Sequence, residues 1–232
     1  MNLYDLIRRR KSCRKYTGQA FDREQLAKIS DAINDFMPLY PDVDLEWRFI
    51  EKMKGPFNVA APHYLVISGQ GKKGEAENAG FIFQQLMLWF NLKGIGSVWL
   101  GGPQDVNKNL DGKDIVAIAF GKPEGDIRRT ESEFRRKPIT EITNSPEDSC
   151  IQAVQFAPSG LNLQPWYFEK HPDKVLLYRQ ILRPPVSLLY KLTEVDLGIA
   201  LCHYALACQQ LGKPFVFNRR EENGNKRGFQ LF

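Results

Sequence analysis

Apolar residues recur at helical spacing at Leu3, Leu6 and Ile7 behind Asn2, a suitable N-cap, so the chain is predicted to open on a short helix. A second stripe, Leu26, Ile29, Ala32 and Ile33, follows Asp22 and predicts a helix over 23–34. The Pro- and aromatic-rich stretch 35–61 shows no sustained period and reads as irregular, with one short strand around 47–51. Tyr64 to Ser68 (YLVIS) predicts a buried strand closed by the glycine loop 69–74. A long apolar helix is expected over 75–93, ended by Gly94. Val98 to Leu100 begins another strand, and Ile115 to Phe120 (IVAIAF) is a buried one. The charged stretch 124–144 predicts a long surface crossing. Residues 146–156 give a further helical unit, 157–169 a loop entering a strand, and 174–178 its hairpin partner. A last long helix over 195–211 and a strand centred on Val216 follow, and the polar tail 219–232 reads as an extended or disordered arm.

Two parts of this pattern echo each other. Gly80 and Gly94 bracket the first long helix, Gly198 and Gly212 the last, and both pairs lie 118 positions apart. At the same offset Val98 meets Val216 and Trp99 meets Phe217; upstream, Pro62-His63-Tyr64-Leu65 resembles Pro165-Trp166-Tyr167-Phe168. The reading is a single domain over 1–232 with an internal pseudo-twofold repeat, half one about 1–144 and half two about 145–218. Gly80 and Gly198 would let the two long helices approach closely.

Composition adds bounds. The chain is 43% hydrophobic and 25% charged, ordinary for a soluble globular protein. The apolar stretch 79–92 is broken by Gln84 and Gln85 and is too short to span a bilayer. No apolar signal-peptide core follows the cations 8–11, so a cytoplasmic location is expected. Cys13, Cys150, Cys202 and Cys208 form no C-x-x-C pair, and His63, His171 and His203 are scattered, so reduced thiols and no metal are expected.

Placement of charge is more informative than its total. The formal net charge is +5, yet residues 8–15 (RRRKSCRK) alone hold six cations and no acid. Such a local cluster suggests one specific anion rather than nucleic acid or a membrane surface, a solvated helix end being the plainer alternative. The glycine loop 69–74 offers no P-loop register for that anion.

Four segments carry the remaining signal: R-K-S-x-R-x-Y at Arg10, Lys11, Ser12, Arg14 and Tyr16; G-I-G-S-V-W-L-G-G over 94–102; R-K-P-I-T-E-I over 136–142; and P-S-x-x-N-x-Q-P-W from Pro158 to Trp166. Taken singly, Trp99 and Trp166 are core residues as readily as site residues, and Arg135-Arg136-Lys137 could be a solvated face. Together the segments resemble the FMN-dependent nitroreductase family. Their order differs from ordinary members, in which the P-S-x-x-N segment comes first. That resembles a subgroup whose single chain carries two fused halves. The resemblance implies an α+β, nitroreductase-like sandwich, with a mixed, mostly antiparallel sheet flanked by helices. It implies FMN as cofactor and NADH or NADPH as donor, with ping-pong transfer to a nitroaromatic, quinone or similar small acceptor. Flavin binding without turnover is the alternative.

By the same resemblance Arg10, Ser12 and Arg136 serve the phosphate, with Lys11 beside them and Arg135 in reserve, and Arg14 lies near the pyrimidine edge of the ring. Trp99, Leu100, Gly101 and Gly102 would flank the ring centre, the Gly101 amide facing flavin N5. Pro158 and Ser159 would shape the loop from which Asn162 meets the ring's amide-like edge. No catalytic side chain is expected, because the chemistry is the cofactor's. A monomeric pseudo-dimer or weak homodimer is the expected state.

Overall fold

The computed structural model describes residues 2–54, 58–102, 104–105, 113–180, 190–219 and 228–231. Helix α1 (Leu3–Ile7) starts on a capping box in which the Asn2 side chain accepts from the Asp5 N–H and the Asp5 carboxylate from the Asn2 N–H. It stops at Arg8. Residues 9–11 then pair with 127–129: the Lys11 N–H donates to Ile127 O and the Arg129 N–H to Arg9 O, each at 2.8 Å. A helix continuing to Arg14 would have turned Ser12 away from Arg10. Extended backbone, with its two-residue side-chain period, instead sends Arg10, Ser12 and Arg14 to one side.

Helix α2 (Arg23–Asn34) spans the residues its stripe predicts, capped reciprocally by Asp22 and Gln25, and buries Ile29 and Ile33. Six strands follow, β1 (Glu46–Ile50), β2 (Met53–Lys54), β3 (His63–Ser68), β4 (Gly96–Gly101), β5 (Gln104–Asp105) and β6 (Asp114–Gly121), with helix α3 (Glu75–Leu92) between β3 and β4. β2 and β5 form a two-stranded ribbon, while the other four make an antiparallel sheet in the order β1-β3-β6-β4. In the glycine loop before α3, the Glu75 carboxylate accepts the N–H groups of Gln70 and Gly71, which occupies the donors a phosphate would need.

The second part contains α4 (Ser149–Val154), β7 (Trp166–Lys170), β8 (Val175–Arg179), α5 (Tyr190–Gln210), β9 (Phe217–Arg219) and β10 (Gly228–Leu231). Its sheet runs β7-β8-β10-β9, again antiparallel. Both four-stranded sheets therefore share one plan: the fourth strand lies between the second and third, and a long helix joins the second to the third. Across strands the one parallel bridge among the described residues is Thr143–Phe168.

Three expectations are corrected. Within the tail 219–232, expected as an extended or disordered arm, Gly228–Leu231 is the inner strand β10 of the second sheet. Helix α5 begins at Tyr190, five residues before the expected start, and Val216 lies just outside β9, 51% exposed. The likeness of Pro62-His63 to Pro165-Trp166 is not the register of the repeat either. Shared sheet position matches β1, not β3, to β7.

Helices α3 and α5 cross at Gly80 and Gly198. A Cβ on Gly80 would run into the Val195 carbonyl and the Ile199 N–H, and one on Gly198 into the Glu77 carbonyl and the Phe81 N–H. Residues 77 and 195, 80 and 198, and 81 and 199 are each 118 positions apart, so the contact is reciprocal. Around it one continuous core takes Leu65, Ile118 and Phe120 from the first sheet, Trp166, Phe168 and Leu177 from the second, and Phe81, Leu86 and Leu201 from the crossing helices. Burial of each such large side chain contributes roughly 1.5–3 kcal/mol. Among the described residues no helix is long and apolar enough to cross a membrane.

Candidate functional site

A cavity of about 840 Å³ opens where the two halves meet. Its floor is Val98 to Gly101 of β4, the edge strand of the first sheet. The Cys13 N–H donates to Ser97 O at 2.9 Å, so Ser97 faces off that edge. Antiparallel alternation then points the backbone groups of Trp99 and Gly101 the same way, away from β6. Of the predicted site residues, Arg10, Lys11, Ser12, Arg14, Trp99, Leu100, Gly101, Arg136, Pro158, Ser159 and Asn162 line the cavity, as does Arg135. Gly102 does not; at φ +62 it turns the chain beyond β4.

The cationic end is unusual. Arg10 is 3% exposed, has no salt-bridge partner among the described residues, and offers its Nη1 to Ser12 Oγ at 3.4 Å. Burial lowers its pKa to about 9, helped by the like charges of Arg129, Arg136 and Arg14. Burial and Arg129 likewise lower Arg136 to about 10, and its buried Nε has no hydrogen-bond partner among the described residues. Arg129 lies 3.6 Å from the centre of the Phe134 ring and donates through Nε to Arg10 O. Arg129 was not foreseen, because the stretch 124–144 reads as surface.

Facing the cations is the loop 158–164. Leu161, Asn162 and Gln164 hold φ of 50°, 58° and 47°, a strained run for residues with side chains. Ser159 Oγ accepts the Gln164 N–H at 2.8 Å, and the Asp196 carboxylate accepts the Gly160 N–H at 2.9 Å. Asn162 is tied to the arginine segment: its Oδ1 accepts from Arg136 Nη1 at 2.6 Å and its Nδ2 donates to Arg135 O at 2.8 Å. Both ends of that amide are engaged there, whereas the sequence reading gave them to a ring edge.

Two further groups complete the walls. Asp196, 4% exposed, is raised to about 7 by burial, against which the Gly160 N–H works. It went unnoticed although D-L-G at 196–198 repeats N-A-G at 78–80. Trp99 donates through Nε1 to Gln84 Oε1 at 3.1 Å, and Gln84 Nε2 lies 2.9 Å from His203 Nε2. His203 Nδ1 sits 3.2 Å from Ala153 O, and burial lowers the ring's pKa to about 3. The ring is therefore neutral, donates from Nδ1 to the carbonyl and accepts the Gln84 amide, a relay that fixes the orientation of Trp99.

A family model described as "Putative TM nitroreductase" matches residues 2–208. Among solved structures, a "putative nitroreductase" from Thermotoga maritima superposes at a TM-score of 0.70 with 22% identity, covering 100% of this chain and 93% of that one. A nitroreductase family protein from Clostridium difficile gives a TM-score of 0.48 at 19% identity, over 61% of this chain and 96% of that one. An "FMN-dependent Nitroreductase" from Clostridium difficile gives 0.45 at 14%, over 59% and 97%. No curated protein matches. With residues 2–208 matched by that model, the protein belongs to this nitroreductase family.

Proposed function

We propose that the chain binds FMN in the cavity between its halves and works as an FMN-dependent oxidoreductase, with NADH or NADPH as donor and a nitroaromatic, quinone or similar small molecule as acceptor. The observation that carries this reading is the arginine cluster at one end of the cavity. Arg10, Arg129 and Arg136 are desolvated beside one another, and an unmet Arg136 Nε points to a missing anion. A phosphate dianion supplies the charge and the acceptor oxygens that cluster lacks. The opposite end, floored by Val98, Trp99 and Leu100, is apolar enough for a flat ring system.

Arg10, Ser12, Arg129 and Arg136 would hold the phosphate, with Asn162 fixing the direction of Arg136. Arg14 would supply positive charge near the ring, and Gly101 a backbone donor from the sheet edge. Bound there, FMN would supply two-electron redox chemistry between the nicotinamide donor and the acceptor, in ping-pong order. The protein's part is to position the ring, hold its charge and admit donor and acceptor by turns. The proposed state is a monomeric pseudo-dimer or weak homodimer in the cytoplasm.

Purified protein saturated with FMN should show a flavin spectrum and oxidise NADH or NADPH with a quinone. Parallel double-reciprocal lines should follow as both substrates vary. Protein that retains no flavin after gel filtration would refute the reading; intersecting lines would refute its ping-pong part.

A further inference from the structure

The shared plan of the two halves allows the cavity to be compared with its counterpart across the repeat. Helix α2 is C-capped by Asp35 and α4 by Gln155, so Phe36, Pro38 and Tyr40 correspond to Phe156, Pro158 and Gly160. Hydrogen bonding agrees with this register. Asn78 Oδ1 accepts the Leu39 and Tyr40 N–H groups at 2.8 and 3.2 Å, as Asp196 accepts that of Gly160. On the strands, Trp99 and Gly101 correspond to Phe217 and Arg219, and on the helices Val195 corresponds to Glu77.

The two places are filled oppositely. In the cavity, Gly160 carries no side chain and a Cβ there would find only Asp196 Oδ2 at 3.7 Å, while Gly101 carries none either and has Leu192 Cδ1 2.8 Å from where its Cβ would stand. In the counterpart, the Tyr40 ring packs edge-on against Phe217 at 5.4 Å and lies so close to Gly74 that a Cβ there would come within 3.0 Å of it. Arg219 reaches from its strand to form an ion pair with Glu77 at 3.1 Å. Where the open half has Gly160, Gly101 and Val195, this half has a tyrosine, an arginine and the carboxylate that pairs with that arginine.

We propose that each chain holds one flavin only, because Tyr40, Glu77 and Arg219 seal the equivalent place in the first half. The inference rests on the flavin reading above. A ring cannot enter where Tyr40 packs, and Glu77 sets a negative charge where the open site has an apolar wall. Gly160 lacks a left-handed φ, so its backbone tolerates a side chain, and Gly160→Tyr would import the seal into the open site.

The test is the molar ratio of flavin to chain after the full-length protein is saturated with FMN and freed of excess by gel filtration. Wild type should give one, and Gly160→Tyr should fall at least tenfold, with a wild-type circular dichroism spectrum. A wild-type ratio near two would overturn the proposal, as would a folded Gly160→Tyr protein that keeps one flavin. The wild-type ratio decides even if the variant does not fold. A wild-type ratio near zero would instead overturn the flavin reading itself.

Discussion

Replacing Arg10 with methionine should make the protein more stable without FMN and less stabilised by it. The fall of the Arg10 pKa from 12.5 to about 9 puts the penalty of its charge in the empty cavity at no more than roughly 5 kcal/mol. Cavity water and side-chain motion reduce this, and replacement of buried charges by apolar groups of like size typically gains about 1–4 kcal/mol. At roughly 2–4 °C per kcal/mol for a domain of this size, the unliganded variant should melt several degrees higher. FMN acts in the opposite direction. Loss of a charge-assisted hydrogen bond to phosphate removes about 1.5–3 kcal/mol, so affinity should fall roughly 10- to 150-fold. Ligand at a hundredfold excess over the wild-type Kd adds about 2.7 kcal/mol to wild type and about 0.3–1.4 kcal/mol to the variant. Thermal melts with and without FMN, beside a flavin fluorescence titration, measure both effects, and FMN should raise the melting temperature of wild type by more than that of the variant. A variant that melts lower without ligand and binds FMN as wild type does would show that Arg10 is structural and that the anion lies elsewhere.

Asp196 makes a pH prediction. Its carboxyl is raised in the fold from 3.8 to about 7, so as pH climbs the unfolded chain ionises first and the native state loses stability from about pH 4 until both are ionised above about 7. Asp196→Asn, which keeps an oxygen for the Gly160 N–H, should therefore match wild type in urea denaturation near pH 4 and exceed it near pH 8; a gain as large at pH 4 would place its cause elsewhere. Gly80→Ala and Gly198→Ala should each cost about 1–3 kcal/mol or more, outweighing the ~1 kcal/mol that alanine gains in a helix, because the new methyl meets rigid backbone. Since either methyl forces the same helices apart, the double variant should fall short of the summed losses in urea titrations. Strict additivity would mean that the two contacts are independent.

The elements were legible where periodicity was strong. Helix α2 and strands β3 and β6 stand within a residue or two of their patterns, since caps and buried apolar runs are local signals. What failed depended on distant pairing. Nothing within 219–232 marks a strand, and β10 exists because β8 and β9 leave a gap between them. Arg10, Ser12 and Arg14 were found by motif, and their meeting one phosphate required the first helix to loosen near Lys11; the pairing of 9–11 with 127–129 that replaces it is non-local and left no mark in the sequence. Arg129 and Asp196 escaped for opposite reasons. One hides in a charged stretch that looks solvated, the other in an apolar helix whose polar positions look incidental.

Under the proposed reading, fusion of two halves explains why the counterpart site could be sealed. In a symmetric homodimer, a tyrosine or arginine introduced to tighten one site would appear in both and destroy both. One chain with two halves is free of that constraint, so glycine at 160 is compatible with tyrosine at 40, and glycine at 101, beneath Leu192, with the Arg219 that reaches Glu77. Symmetry persists where the halves still need each other: the Gly80–Gly198 crossing is reciprocal to the residue, as is the bond from Asn78 or Asp196 to its loop. Even that bond has diverged in charge. A neutral amide serves the sealed half and an ionisable carboxyl the open one.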